Sequence, residues 1–264
     1  MANERLYARA KVLFEDNEGS SHFVMLSRTS QIYSRIEDAF KNAFRILLIT
    51  GAPGTGKSYV LKRFFGDYKA IAPIFLYSSA TFSSERLFEI YESLYKERLV
   101  AKDLQGIIDA FRVREIKPIS ILLDEAQLYD EDRLELVRML SNEGIFRFVV
   151  VVHRVKNEDL LARDHFRTRT YENIECTPIE PIEVERFIET KLLLGEIQDF
   201  YSRFDKKNLE RIFEITQGNL RDLNRLIHRF FDLLDDMEQN APHKLPKRFT
   251  NKLIEMSALE LGML

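Results

Sequence analysis

The 264-residue sequence predicts an α/β fold, in which a five-stranded parallel sheet lies between two layers of helices and is followed by a small all-helical domain. Two observations predict it. Five short apolar runs alternate with helical stretches up to Pro178, as in parallel sheets that are covered on both faces. Beyond that residue every periodic segment is helical. We therefore expect an α/β domain over residues 1–178, with 1–44 as its N-terminal segment, and a helical lid over 179–264.

Each predicted element has its own pattern. The strands are nearly continuous apolar runs, at Arg45–Thr50, Ala72–Ser78, Ser120–Asp124, Phe146–Val152 and Tyr171–Thr177. Helical periodicity covers Gln31–Ala43, Lys57–Phe65, Ser84–Arg98, Asp103–Val113, Glu131–Ser141 and Glu158–Arg163. In the second part, apolar faces recur over Ile182–Leu194, Lys206–Thr216, Leu220–Met237 and Thr250–Leu261. Ligands of such sheets meet the carboxyl ends of the strands, so the site is expected there.

Composition excludes several classes of protein. Apolar residues make up 45% and charged residues 31%, a balance that excludes wholesale disorder. No apolar run is long enough to span a membrane, and no signal peptide is visible. The single cysteine, Cys176, excludes an internal disulfide framework and predicts a cytoplasmic protein. The net charge of −3 argues against coating nucleic acid by bulk charge, although a local basic patch stays compatible.

The strongest motif is a glycine-rich segment between the first strand and the next helix. It matches the Walker A pattern GxxxxGK[ST] at every fixed position and predicts that ATP is bound by Gly51, Ala52, Pro53, Gly54, Thr55, Gly56, Lys57, Ser58 and the adjoining Tyr59. Its backbone N–H groups would form an anion-binding nest at a helix N-terminus. Lys57 would reach the β- and γ-phosphates, and the Ser58 hydroxyl would ligate Mg²⁺.

A second motif is the carboxylate pair Asp124-Glu125, which ends the third apolar strand in the Walker B form. Asp124 would hold Mg²⁺ opposite Ser58, and Glu125 would polarise the attacking water. Alone, the pair would read as an acidic helix cap. Beside a Walker A loop it favours hydrolysis over a pure phosphate-binding switch.

Four further residues are candidates for sensing the nucleotide or completing the site. His153 ends the fourth strand, where it would contact the γ-phosphate or water, or else face solvent. Of the arginines near 163–169, Arg169 and then Arg167 are candidate fingers for a neighbouring subunit's site; the alternative is a solvated helix end. Arg221 lies in the first turn of a helix, where a cation is unfavourable, so either a phosphate or a nearby acid is its expected partner.

These motifs, in this order, resemble those of the AAA+ ATPases. More narrowly, LLDEAQ at 122–127 and LELVRMLSN at 134–142 are similar to segments of the general secretion pathway protein A (ExeA-like) family, which is related to transposition-helper and initiator ATPases. The GNLRDLN segment at 218–224 resembles its sensor-2 segment. His153-Arg154 departs from the usual Gly-Gln. The resemblance implies an ATPase core with a lid, a homo-oligomer and ATP with Mg²⁺ as cofactors.

Three functions follow from these patterns. The first is an ATPase that couples nucleotide state to assembly or remodelling of a macromolecular partner, in a secretion, pilus or DNA-uptake system by resemblance, with activity that depends on oligomer or partner. The second is an ATP-gated adaptor with little intrinsic hydrolysis. The third is a DNA-binding helper in transposition or replication, with contacts from Arg112, Arg114 and Lys117 or from Lys244, Lys247 and Arg248; solvated faces are the alternative. A small-molecule kinase fits the acidic pair and helical tail poorly.

Overall fold

Five parallel strands form one sheet in the computed structural model, which describes residues 5–15, 24–101, 103–114, 118–153 and 170–264. The strands are β1 (Ile46–Gly51), β2 (Ile74–Tyr77), β3 (Ile119–Leu123), β4 (Phe146–His153) and β5 (Thr170–Cys176). Their order in the sheet is β2-β3-β4-β1-β5, and every neighbouring pair is parallel. The predicted five-stranded parallel sheet is confirmed.

Helices connect these strands and flank the sheet. The described helices of this part are α2 (Ser27–Lys41), α3 (Lys57–Tyr68), α4 (Ser84–Tyr95), α5 (Leu104–Arg112) and α6 (Glu131–Asn142). Two apolar clusters account for the packing, one of them built around Phe82, Phe111 and Phe148, the other around Ile36 and Phe64. Because β3 is buried at all five of its positions, its residues are apolar except for Ser120. The helix predicted at Glu158–Arg163 lies outside the described residues.

The remaining described helices are α1 (Leu6–Leu13), α7 (Pro181–Leu194), α8 (Lys206–Thr216), α9 (Leu220–Asn240) and α10 (Asn251–Glu260). They share one core, in which Phe200, Phe204, Phe230, Phe231 and Phe249 form a connected set of ring contacts. The predicted helical region beyond the sheet is therefore present. Among the described residues, no helix is both long enough and apolar enough to cross a membrane.

The chain divides into two compact units, residues 31–176 and residues 1–30 together with 177–264. The sequence-based division assigned 1–44 to the α/β domain, whereas α1 packs in the helical unit. Tyr7, Ala10 and Leu13 are buried in that unit's core, and the Lys191 ammonium donates to the Leu13 carbonyl oxygen at 2.7 Å. Apolar residues of α1 therefore complete a core whose other helices come almost 170 residues later, a pairing that local periodicity does not reveal.

Candidate functional site

The glycine-rich loop follows β1 at the carboxyl edge of the sheet and leads directly into α3. Gly54 and Gly56 have φ values of +80° and +89°, in the left-handed region that glycine enters without strain. The Thr55 hydroxyl donates to the Ala52 carbonyl oxygen at 2.9 Å, which closes the loop on itself. The Val60 N–H donates to the Gly56 carbonyl oxygen at 3.0 Å, so regular helix begins immediately after the loop. The first turn of α3 therefore directs its backbone N–H groups towards the loop, an arrangement that binds anions.

The Lys57 ammonium lies over this loop. It donates to the carbonyl oxygens of Gly51 at 2.8 Å and Ala52 at 2.7 Å, and only 3% of the residue is exposed. A buried lysine is costly unless its charge is stabilised, and the two carbonyl oxygens stabilise it by accepting hydrogen bonds from the ammonium. The geometry therefore concentrates positive charge beside a nest of backbone N–H groups.

Gly51 is required because the backbone of β5 comes very close to it. A Cβ atom at this position would lie 2.2 Å from the Cys176 carbonyl oxygen, a backbone atom that side-chain rotation cannot move. Cys176 itself is buried, which raises the pKa of its thiol to about 11 and makes it a packing residue.

We predict that Gly51→Ala lowers the free energy of unfolding by about 1–3 kcal/mol, the typical cost of overpacking. Gly66→Ala is the matched control, because Gly66 lies within α3 with no atom within 4 Å of an added Cβ. That change should stabilise the protein by about 0.5–1 kcal/mol. Urea unfolding of both variants measures the difference. Equal stabilities would contradict the close approach of β5.

The side chain of Ser58, in the first turn of α3, meets that of Asp124, which directly follows β3. The Ser58 hydroxyl donates to Asp124 Oδ1 at 3.1 Å, and the Glu125 N–H donates to the same oxygen at 2.9 Å. Asp124 is 4% exposed, so both bonds hold a carboxylate that is almost removed from water. No cluster of three or more His, Cys, Asp or Glu side chains that could hold a metal occurs in the described ranges. One carboxylate beside one hydroxyl fits Mg²⁺, which keeps several waters and takes further oxygens from substrate phosphates.

Glu125 follows in the left-handed conformation, with φ +54° and ψ +41°. For a residue other than glycine this region is sparsely populated, and the turn separates the Glu125 side chain from that of Asp124. The Ser79 hydroxyl donates to Glu125 Oε2 at 3.0 Å. Ser79 also has a left-handed φ, +53°, and lies just after β2. Ser79 was not predicted as a site residue. Its position just after a strand could have indicated it, because the carboxyl ends of parallel strands lie at one edge of the sheet.

His153 is the last residue of β4 and the register partner of Gly51. Its N–H donates to the Gln127 side-chain oxygen at 3.2 Å, so Gln127 links the turn after Asp124-Glu125 to the end of β4. Gln127 was not predicted as a site residue. The structure thus brings His153 next to the phosphate loop, and its role towards the γ-phosphate stays a prediction.

The strand order, the loop at the end of β1 and the acidic turn after β3 together form the arrangement of a P-loop nucleotide-binding core. Residues 42–161 match the family model described as AAA domain. The chain has the AAA+ P-loop NTPase fold. No curated protein sequence matches it.

Solved structures share this AAA+ fold at low sequence identity. Cdc6p from Pyrobaculum aerophilum aligns with a TM-score of 0.62 and 15% identity, over 95% of this chain and 70% of that one. The ORC1 protein of Aeropyrum pernix, in complex with DNA, aligns with a TM-score of 0.60 and 11% identity, over 96% and 69%. The RuvB Holliday junction branch migration motor of Thermotoga maritima aligns with a TM-score of 0.58 and 14% identity, over 94% and 73%. These likenesses concern the fold, and the narrower resemblance to the ExeA-like family stays a prediction.

Of the other predicted site residues, the structure describes Tyr59 and Arg221. Tyr59, in the first turn of α3, is half-buried, and burial raises its pKa to about 12. Arg221 lies in the first turn of α9 in the helical unit, where its N–H donates to the side chain of Asn219, the helix cap. Both roles stay predictions. Arg163, Arg167 and Arg169 lie outside the described residues, as do Arg154 and Lys117.

Proposed function

We propose that this AAA+ protein binds and hydrolyses ATP and couples the nucleotide state to a macromolecular partner. The observation that carries the proposal is the convergence of four side chains at one sheet edge. Lys57 lies over the phosphate loop, Ser58 and Asp124 are joined at 3.1 Å, and Glu125 is held by Ser79. This combination of a cation, two oxygen ligands and a carboxylate is what phosphoryl transfer to water requires.

Each residue has a distinct role in the proposed reaction. The loop N–H groups and Lys57 bind the β- and γ-phosphates and stabilise the charge that develops on them. Ser58 and Asp124 would hold Mg²⁺, which neutralises phosphate charge when bound. Glu125 accepts a hydrogen bond from the attacking water and orients it, while the Ser79 hydroxyl fixes the position of the carboxylate. His153, next to Gly51, is the residue best placed among those on β4 to respond to the γ-phosphate.

The partner separates two versions of this function. Remodelling within a secretion, pilus or DNA-uptake system rests on the ExeA-like resemblance. A DNA-binding helper is the second candidate, and it is favoured by Lys244, Lys247 and Arg248, which are exposed and pair with no carboxylate among the described residues. An adaptor with little hydrolysis uses the same binding residues but would not require Glu125 to act.

The ATPase rate per molecule, measured against protein concentration, tests the proposal. We expect Mg²⁺-dependent release of phosphate whose specific rate rises with concentration, because an arginine from a neighbouring subunit would complete the site. A very low rate at every concentration, together with tight ATP binding and ATP-dependent capture of a partner, would favour the adaptor. Absence of both ATP binding and hydrolysis would refute the proposal.

A further inference from the structure

A short basic segment on the surface of the helical unit covers the connection between α9 and α10 and the first turn of α10. Residues 241–254 contain Lys244, Lys247, Arg248 and Lys252 but no Asp or Glu, in a chain whose net charge is −3. All four side chains are exposed. The segment therefore reverses the average charge of the protein over a small area.

The charges of this segment are not neutralised by ion pairs. Within the part of the chain that the structure describes, no carboxylate lies within 4 Å of any of the four cationic groups. Other cations of the same unit differ: Lys11 pairs with Asp232 at 2.8 Å, and Arg211 pairs with both Glu214 and Glu255.

The other predicted basic group is neutralised. Arg112 pairs with Asp109 at 3.0 Å and also with Glu143, whereas Arg114 pairs with Glu97 and lies over the ring of Tyr95. These arginines therefore stabilise the surface of the α/β unit. Of the two sequence-predicted basic groups, the segment between α9 and α10 is the one whose described members keep their charge available.

The segment is anchored rather than loose. Phe249 is 3% exposed, its ring lies 4.7 Å from that of Phe204, and its N–H donates to the Arg203 carbonyl oxygen at 3.0 Å. Arg203 and Lys247 line one cavity of about 370 Å³, together with Glu238. Because Arg248 is next to the buried Phe249, and Lys247 next to Arg248, these cations project from a backbone that is already ordered. Binding through them would cost little additional backbone entropy.

The exposed chemistry of the segment fits phosphate groups better than a membrane or an apolar protein surface. Leu245 packs against the core and Phe249 is buried, so no large apolar side chain is exposed anywhere in 241–254, all of which the structure describes. Interfacial membrane segments usually combine basic residues with apolar side chains that insert between lipids, and protein interfaces usually rely on buried aromatic or aliphatic anchors. A surface that offers lysine and arginine without exposed apolar side chains is typical of contacts to a phosphate backbone.

We propose that residues 243–252 contact the phosphate backbone of duplex nucleic acid. The N-terminal turn of α10 adds partial positive charge at the same place, because its cap, Thr250, makes no side-chain capping bond. The contact reads charge and not base sequence, so affinity should depend strongly on salt and weakly on sequence. This inference names a class of partner for the proposed ATPase but depends only on a surface of the helical unit.

Fluorescence anisotropy with a labelled DNA duplex tests the inference, with and without an ATP analogue. The test variant is K244Q/K247Q/R248Q. Each lost phosphate contact should weaken binding about eight-fold at about 0.1 M salt, so the triple variant should bind roughly 100- to 500-fold more weakly. Its log–log salt slope should fall by about 3.

The matched control is K41Q/R63Q/R86Q, which makes the same change in net charge at cations that pair with carboxylates on their own helices. It should bind DNA within about three-fold of the unmodified protein, as expected for surface residues outside the contact. Circular dichroism verifies that both variants fold, and the single variant K247Q provides a milder change. ATP affinity is measured separately, so failure of the ATPase proposal would leave the DNA result interpretable.

Three outcomes would overturn the inference. One is that the unmodified protein does not bind the duplex at low salt in either nucleotide condition. Another is that the triple variant keeps the affinity and salt slope of the unmodified protein. The last is that phosphatidylserine vesicles, and not DNA, are bound through these residues.

Discussion

Replacing Lys57 with alanine will abolish ATP binding. The ammonium lies 2.7–2.8 Å from two carbonyl oxygens of the phosphate loop, so it is held where the β- and γ-phosphates would bind. A charge-assisted hydrogen bond contributes about 1.5–3 kcal/mol. Loss of two such bonds to phosphate corresponds to an affinity at least about 100-fold lower. Titration with a fluorescent ATP analogue measures the change.

Two variants make this result interpretable. Lys57→Met keeps most of the aliphatic stem while removing the charge, so it tests the charge without leaving a large cavity. Lys69→Ala is the control, because it also removes one lysine but at the other end of α3. Lys69 is exposed there, and its ammonium lies 5.9 Å from the centre of the Phe65 ring. We expect Lys57→Met to behave as Lys57→Ala and Lys69→Ala to bind normally. Unchanged affinity in both Lys57 variants would refute the role of this lysine.

The second large effect is expected from Glu125→Gln, which should bind ATP normally and hydrolyse it about 10²- to 10⁴-fold more slowly. The amide oxygen can still accept the hydrogen bond from Ser79, so the local turn should persist. What is lost is the negative charge that orients and activates water. Single-turnover release of phosphate, with binding measured on the same sample, separates the two steps.

Glu89→Gln provides the control for this change. Glu89 is an exposed carboxylate on α4 that pairs with Arg86. Its replacement removes one negative charge, as Glu125→Gln does, but from a residue outside the Asp124-Glu125 motif. It should hydrolyse ATP at the normal rate. Normal turnover by Glu125→Gln would instead assign water activation to another group and would remove the main argument for hydrolysis over gating.

Much of the site could be predicted because its elements are local in sequence. A glycine-rich loop between a strand and a helix, and two carboxylates at the end of a buried strand, are each contiguous motifs. The rule that parallel strands present their carboxyl ends at one edge then predicts that Ser58 and Asp124 meet, although they are separated by 66 positions. Hydrogen bonds made by serine and glutamine side chains were not predictable in this way, because these residues occur in many settings. The bonds from Ser79 to Glu125 and from His153 to Gln127 depend on strand register and turn conformation.

The same distinction applies to surface charge. The sequence shows two basic groups of similar composition, around Arg112 and around Lys247. The first is paired with carboxylates that include Glu143 and Glu97, distant by 31 and 17 positions, and the second has no such partner among the described residues. Only the folded chain determines which cations have carboxylates as neighbours.

By itself, the sequence determined the parallel sheet, the phosphate loop and the acidic strand end, because each of these features is specified by a short continuous stretch of residues. The tertiary structure decided what depends on distant segments meeting. It joined α1 to the helical unit, required a glycine at position 51 because the Cys176 backbone approaches it, and placed Ser79 against Glu125. It also left one basic segment without carboxylate partners among the described residues. These features are set by packing and register, which no local pattern encodes.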